Sequence, residues 1–428
     1  MLRSSDNHRS RLNRARKAGL VLALAGPLLL PAALNGLFHL DHEPHLCSLL
    51  AFAFVLHLWI RPGIREICAD VGAASVFLLL YSWVYGIPNS PFGPVFTGLT
   101  YAGLLGLGST AVLAVQAQRT TGDAQERRQN ALAAGLIAPA GMILIGYPLQ
   151  LSALLHPRTF DAFLYSFDLS LGFSPSFLIG QAFTHLAPLR IVSSMVYDTL
   201  PLVVSFFYAA LMLQKKRFRV NVILLFTGAL LIGSLLYNVC PATGPTYAFP
   251  GAFPNHPPLR GEFAVETRLV PGAPRNAMPS LHTSLALLVF WNAYVWGRKG
   301  RILAGLYLFF TLLATLGTGE HYLIDLVVAL PFSLAMQALF TTGRPLQDPT
   351  RWRPLLLGSA VTALWFAVLR SPVTLFEQSA IWPWTAVLLV LAICWTGKRL
   401  LDSPPADLSI APSQLRRSLG VIPPSSGS

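Results

Sequence analysis

Two histidines and a carboxylate carry the chemistry this sequence can do. His321 and Asp325 stand four residues apart in Gly317-Thr318-Gly319-Glu320-His321-Tyr322-Leu323-Ile324-Asp325. His282 closes the motif Pro279-Ser280-Leu281-His282, 39 residues upstream. A spacing of four predicts one shared helix face, on which the carboxylate holds the imidazole in one orientation. Such an imidazole can attack phosphorus while a second histidine protonates the leaving group. Alone, a His-x-x-x-Asp pair at a helix start is more often packing or capping. Beside Pro-Ser-Leu-His at the same depth it points to phosphoryl transfer through a phosphohistidine.

The elements that must position these residues are membrane helices. The chain is 54% hydrophobic and 11% charged, with mean hydropathy +0.56 over 428 residues, where a soluble domain carries about 25% charged residues. Its apolar runs reach the roughly 17–25 residues that a spanning helix needs. They fall near 18–38, 46–60, 70–87, 95–117, 131–155, 191–213, 220–240, 281–297, 302–318, 322–341, 354–370 and 380–397. The first contains Pro27 and Pro31 and lacks a small-residue cleavage site, so it reads as an anchor rather than a signal peptide.

The formal charge of +13 follows the same pattern. With the N-terminus inside, 25 of the 31 basic residues fall in the tails and in alternate short loops. The six left outside are Arg158, Arg190, Arg260, Arg268, Arg275 and Arg370. This predicts an all-α, polytopic protein of about twelve spans, with both termini in the cytoplasm of a bacterial plasma (inner) membrane. Dispersed basic loops facing anionic lipid also argue against a nucleic-acid partner. Two spans and a turn between His282 and His321 bring both to the outer face, beneath a polar loop from about Pro241 to Pro279 that carries Arg260, Arg268 and Arg275. Arginine there suits bidentate phosphate recognition; contact with headgroups or loop carbonyls is the alternative.

The two motifs together resemble the type-2 phosphatidic acid phosphatase superfamily. Leu281 stands where the first motif usually has glycine, and Tyr322 follows the second histidine, so the resemblance is to the branch of inositol phosphorylceramide and sphingomyelin synthases. It covers roughly residues 130–342 and includes Cys240-Pro241-Ala242-Thr243-Gly244-Pro245. It implies a catalytic set of His321 as nucleophile, Asp325 as its orienting carboxylate and His282 as general acid, later base. The Lys-x6-Arg-Pro signature of typical phosphatases is absent, and Ala314-Thr315 occupy the place of their Ser-Arg. Arg275 is therefore the expected phosphate clamp and Arg268 the second candidate, with Ser280 and Asp198 on the substrate side.

The implied organisation is a basic tail and about four extra helices over 1–129, a catalytic core over 130–342, two helices over 343–402 and a disordered Pro- and Ser-rich tail over 403–428. No metal or other cofactor is expected. The expected partners are a lipid phosphate substrate, membrane lipids and a small alcohol or lipid acceptor. Transfer of a phospho-headgroup to an alcohol is the main reading and hydrolysis of a lipid phosphate or polyprenyl pyrophosphate the alternative. A proton-coupled transporter is the reading from another class, but no repeat relates the halves and a proton relay has no use for Pro-Ser-Leu-His.

Other polar residues remain open. Asp198 lies in an apolar run, where a carboxylate is functional by default, although Pro201 nearby allows it to satisfy distorted backbone. Asp161 and Asp168 fit a segment ahead of the core or, equally, an interfacial amphipathic helix. His39, His42 and His45 repeat no tight ligand spacing, and Pro44 interrupts them. Cys47 and Cys240 could meet in a disulfide, although unpaired membrane cysteines are the favoured reading.

Overall fold

The computed structural model describes residue 40 and residues 43–91, 93–212 and 218–403. The basic N-terminus, the expected span at 18–38, His39, His42 and the tail beyond 403 lie outside the described residues.

Proline and polar caps set the helix starts. Pro44, Pro94, Pro175 and Pro349 each occupy the first turn of a helix, where a missing N–H costs nothing. The N-terminal helices are α1 (Pro44–Trp59), α2 (Ile64–Tyr85), α3 (Pro94–Arg119) and the long α4 (Gly122–Leu155). A two-residue strand β1 (Arg158–Thr159) leads into α5 (Asp161–Ser170), α6 (Pro175–His185), α7 (Ala187–Asp198), α8 (Leu200–Met212) and α9 (Val222–Leu236). The polar loop holds one turn, α10 (Pro245–Ala248), and β2 (Arg268–Leu269), antiparallel to β1. Then come α11 (Leu281–Asn292), a 3-10 turn (Ala293–Trp296), α12 (Gly297–Gly317), α13 (Leu323–Leu339), α14 (Pro349–Val368), α15 (Thr374–Gln378) and α16 (Ile381–Asp402).

Each predicted span within the described residues has a helix at its place. By length and apolarity, four of these stretches can cross a membrane: Ile64–Tyr85, Pro94–Arg119, Leu281–Gly317 and Ile381–Asp402. The number rises to six if the bent pairs α5–α6 and α7–α8 each count as one span. The difference from twelve has a physical reason. Helices α1, α9 and α13 are apolar but have only 16, 15 and 17 residues, and Leu281–Gly317 forms one stretch where the sequence reading placed two spans. The apolar helices fit an integral membrane protein.

The bundle closes around α11 and α13, which carry the two sequence motifs. Buried Asn292 and Gln337 exchange amide hydrogen bonds of 2.9 and 3.2 Å between them. In apolar surroundings a reciprocal amide pair fixes register as well as contact. Helix α12 folds back on α11, bringing Gly305 against Phe290, and packs on α6 and α7. Helices α14 and α16 cover α13 from the other side. The N-terminal helices form a second cluster in which α1 and α3 cross very closely. A Cβ at Gly106 would lie 1.8 Å from the Leu50 carbonyl oxygen, so only glycine allows the crossing. The Cys47 thiol donates to the Leu40 carbonyl at 3.0 Å rather than bridging to Cys240.

Helices α1 and α2 are joined by a fully buried pair absent from the sequence reading: His57 Nδ1 and Asp70 Oδ2 lie 2.7 Å apart. Glu66 and Arg128, themselves paired at 2.7 Å, stand beside it. Removing Asp70 leaves the buried His57 Nδ1 without its partner. Asp70→Ala should therefore cost about 1–3 kcal/mol in equilibrium unfolding in detergent. Cys68→Ser, on an exposed position of the same helix, should stay within about 0.5 kcal/mol; equal effects would remove the pair from the stability argument.

Candidate active site

His321 sits in the two-residue extended segment between α12 and α13, not on the helix itself. The chain arrives there through Gly319, leaves through Tyr322, and enters α13 at Leu323. Three contacts fix this crossing. Ser176 on α6 donates its hydroxyl to the His321 carbonyl at 2.7 Å. Asp325 Oδ2 accepts the Tyr322 N–H at 2.8 Å, and the Asp168 carboxylate accepts the N–H groups of Leu323 and Ile324 at 2.8 and 3.2 Å. The orphan donors of α13 are thereby capped by two carboxylates, which the helix dipole also favours.

The imidazole is oriented differently from the sequence expectation. Nδ1 donates to the Ala277 carbonyl at 2.8 Å, and Asp325 Oδ2 lies farther off at 3.4 Å. Asp325 acts on the ring through charge and on the backbone through its cap; the carbonyl supplies the closer hold. A proton on Nδ1 leaves the Nε2 lone pair free, and that atom faces Ser280 Oγ at 3.5 Å. Burial, at 1% exposure, pushes the His321 pKa down to about 4, partly opposed by Glu320 and the Ala277 carbonyl. The ring is therefore neutral at neutral pH, as a nitrogen nucleophile must be.

The two motifs meet directly. The Ser280 N–H donates to the Asp325 carbonyl at 3.3 Å, and Ser280 Oγ caps α11 through the Thr283 N–H at 3.3 Å. Two residues on, His282 stacks on Tyr197, with ring centroids 3.7 Å apart. Tyr197 in turn donates its hydroxyl to Glu320 Oε2 at 2.6 Å. His282 Nε2 lies 3.1 Å from Nε2 of His45, at the start of α1. Asp198 is drawn in from the end of α7, with Oδ1 3.7 Å from His45 Nδ1. The structure thus gathers His321, Asp325, Ser280, His282 and Asp198, and it adds His45.

The two candidate arginines are engaged elsewhere. Arg275 is among the most deeply buried side chains, and its guanidinium donates to the carbonyls of His156, Pro157, Val270 and Ala273 at 2.6–3.2 Å. It staples the β1–β2 ribbon and the loop leading to Pro279, the contact with loop carbonyls that stood as the alternative to a phosphate clamp. Arg268 lies on that ribbon with its guanidinium 4.7 Å over the Phe249 ring.

Asp161 and Asp168 are buried, so the reading of α5 as an interfacial amphipathic helix is also corrected. Asp161 accepts the backbone N–H groups of Thr243 and Gly244, the Thr243 hydroxyl and the Tyr322 hydroxyl, at 2.8–3.2 Å. Gly244, at φ +93°, presses against Glu320, where a Cβ would lie 2.3 Å from the carbonyl carbon. The sequence gives no sign of Asn276, whose Oδ1 is buried with no hydrogen-bond partner and which lines a cleft with His45 and His282. That cleft, of ≈ 210 Å³, continues between apolar side chains of α4, α8 and α9, among them Leu200, Phe226 and Leu230.

Two measurements check these assignments. Arg275→Lys leaves some of four carbonyls without donors, so it should lower unfolding stability by about 2 kcal/mol or more. The folded fraction should keep kcat/KM within about threefold; a large loss at unchanged stability would restore Arg275 as a clamp. The acid-side loss of kcat/KM should be centred toward 4, because a buried imidazole accepts a proton only below its lowered pKa. A loss centred at about 6.5, where free imidazole titrates, would contradict a buried nucleophile.

Residues 162–339, from α5 to the end of α13, match the family model described as PAP2 superfamily. No curated protein and no solved structure matches the chain. The matched stretch contains His282, His321, Asp325, Asp198, Asp168 and Glu320, and similarity to that superfamily suggests lipid phosphatase or phosphotransferase chemistry.

Proposed function

We propose that the protein is a membrane-embedded phosphotransferase that moves a phospho-headgroup from a phospholipid to an alcohol or lipid acceptor, as in inositol phosphorylceramide synthases, on the extracytoplasmic face of a twelve-span bundle. The observation that carries this reading is the junction of two environments at His282. On one side stands the neutral His321 with its free Nε2, on the other an apolar cleft of lipid-chain character. A water-soluble phosphate ester has no use for such a cleft.

Two displacements at phosphorus would carry the transfer. His321 Nε2 forms the N–P bond as the P–O bond to the leaving group breaks, and the leaving oxygen takes a proton from His282. The acceptor hydroxyl then gives its proton to His282 and attacks phosphorus, releasing His321. With Arg275 engaged by carbonyls, the Asn276 amide, the Ser280 hydroxyl and secondarily Arg268 are the groups that would meet the phosphate oxygens. Water in place of the alcohol makes the same site a phosphatase.

Phospholipid labelled in its phosphate should transfer label to the purified protein, and an added alcohol should remove it into a new phosphodiester. His321→Ala should take up no label and lose more than a thousandfold in turnover, in line with loss of a nucleophile. Release of the labelled headgroup only as a free phosphomonoester, whatever alcohol is present, would replace transfer by hydrolysis. Full turnover by His321→Ala would overturn the phosphohistidine.

A further inference from the structure

We propose that His45, on the N-terminal helix α1 and outside the stretch that matches the family model, completes the active site by holding His282 in its working tautomer, with Asp198 holding His45 in turn. The inference rests on the phosphotransfer reading of His282 and His321.

The geometry begins with one constraint. Two Nε2 atoms 3.1 Å apart share a single proton: one ring donates and the other accepts. Asp198 decides which. Its Oδ1 lies 3.7 Å from His45 Nδ1, so the carboxylate favours the His45 tautomer protonated on that nitrogen. His45 Nε2 then carries a lone pair, and the proton between the rings belongs to His282 Nε2. With Nε2 committed to His45, the exchangeable site of His282 is Nδ1.

The proton balance of both steps then closes on one atom. The anionic phosphate of the bound substrate favours the doubly protonated His282, which gives its Nδ1 proton to the leaving oxygen and becomes the neutral Nε2–H tautomer, still donating to His45. In the second step Nδ1 takes the acceptor's proton, and the starting state returns. His45 stays neutral throughout. Without it, neutral His282 would distribute its proton over both nitrogens, and only part of the population would be correctly set.

Independent contacts hold this pair in place. Ser48, one turn along α1 from Pro44, donates its hydroxyl to the Asp198 carbonyl at 3.0 Å and to the Pro44 carbonyl at 2.9 Å. Tyr197 meets His45 edge-on at 5.8 Å between centroids while stacking flat on His282. The end of α7 therefore braces both rings, and α1 reaches the site at its first turn. His45 is a positioning residue: it acts through His282.

The test uses the full-length protein in detergent with two phosphate esters that carry the same alkyl chain. One has an alkyl leaving group, and the other a 2-nitrophenyl leaving group that departs without a proton. His45→Ala should lose about thirtyfold or more in kcat/KM, which reads only the steps up to departure of the leaving group, on the alkyl ester and under about threefold on the nitrophenyl ester. His45→Gln places an amide oxygen where an acceptor is needed and should recover at least about fivefold on the alkyl ester. Equal losses on both esters, or alkyl turnover unchanged in both variants, would overturn the proposal. Misfolding lowers both rates together and so counts against it unless His45→Gln, folded, shows the split. Wild type and His321→Ala run alongside: turnover by neither would overturn the phosphotransfer reading itself, whereas an active wild type and an inactive His321→Ala leave the His45 variants to decide this inference alone.

Discussion

Everything at the site depends on two buried carboxylates of one short helix. Asp168 takes the first N–H groups of α13, and Asp161 takes those of Thr243 and Gly244 together with the Tyr322 hydroxyl. A carboxylate in such surroundings is costly unless its lone pairs are filled. Here they are filled by backbone donors from the segments on either side of His321. Satisfying the carboxylates and positioning the nucleophile are one event, because α5 cannot bury Asp161 and Asp168 without drawing the start of α13 and the Cys240–Pro245 turn together.

A second constraint acts through the backbone of the loop. Arg275 gathers four carbonyls of the ribbon and its flanking loop, and two residues later the Ala277 carbonyl receives His321 Nδ1. The tautomer of the nucleophile is therefore set by main chain that an arginine has immobilised. A carbonyl held in this manner keeps its direction without needing an ionised partner, which suits an apolar setting where charge is expensive.

The sequence displayed the helices and the two candidate histidines because both leave local marks. Apolar runs state their own length, and His321, Asp325 and His282 sit in motifs readable within a few residues. What escaped it is joined across long chain separations. His45 and His282 are 237 residues apart, and nothing around His45 except Pro44 and an apolar run marks it. The partners of Arg275 could not be read because they are carbonyls, which every residue has and no side chain advertises. His57 and Asp70 lie on successive helices with a turn between them, so no fixed helical spacing pairs them. Asp325 does stand beside the ring, 3.4 Å from Nδ1, but shares that nitrogen with a carbonyl for a local reason: the helix starts at Leu323, and a four-residue spacing has its usual meaning only when both residues are helical.

The apolar cleft has a consequence for what concentration means to this protein. Ile137 and Leu231, which line it, are also exposed on the outer surface of α4 and α9. In the membrane setting proposed above, a cleft bounded in this way would open sideways, into the plane where lipid chains lie. A lipid entering there arrives by two-dimensional diffusion, so the encounter rate follows its mole fraction in the bilayer and not its amount per volume of solution. Dilution with inert lipid at constant bulk substrate would slow such an encounter, while dilution with buffer would leave it unchanged.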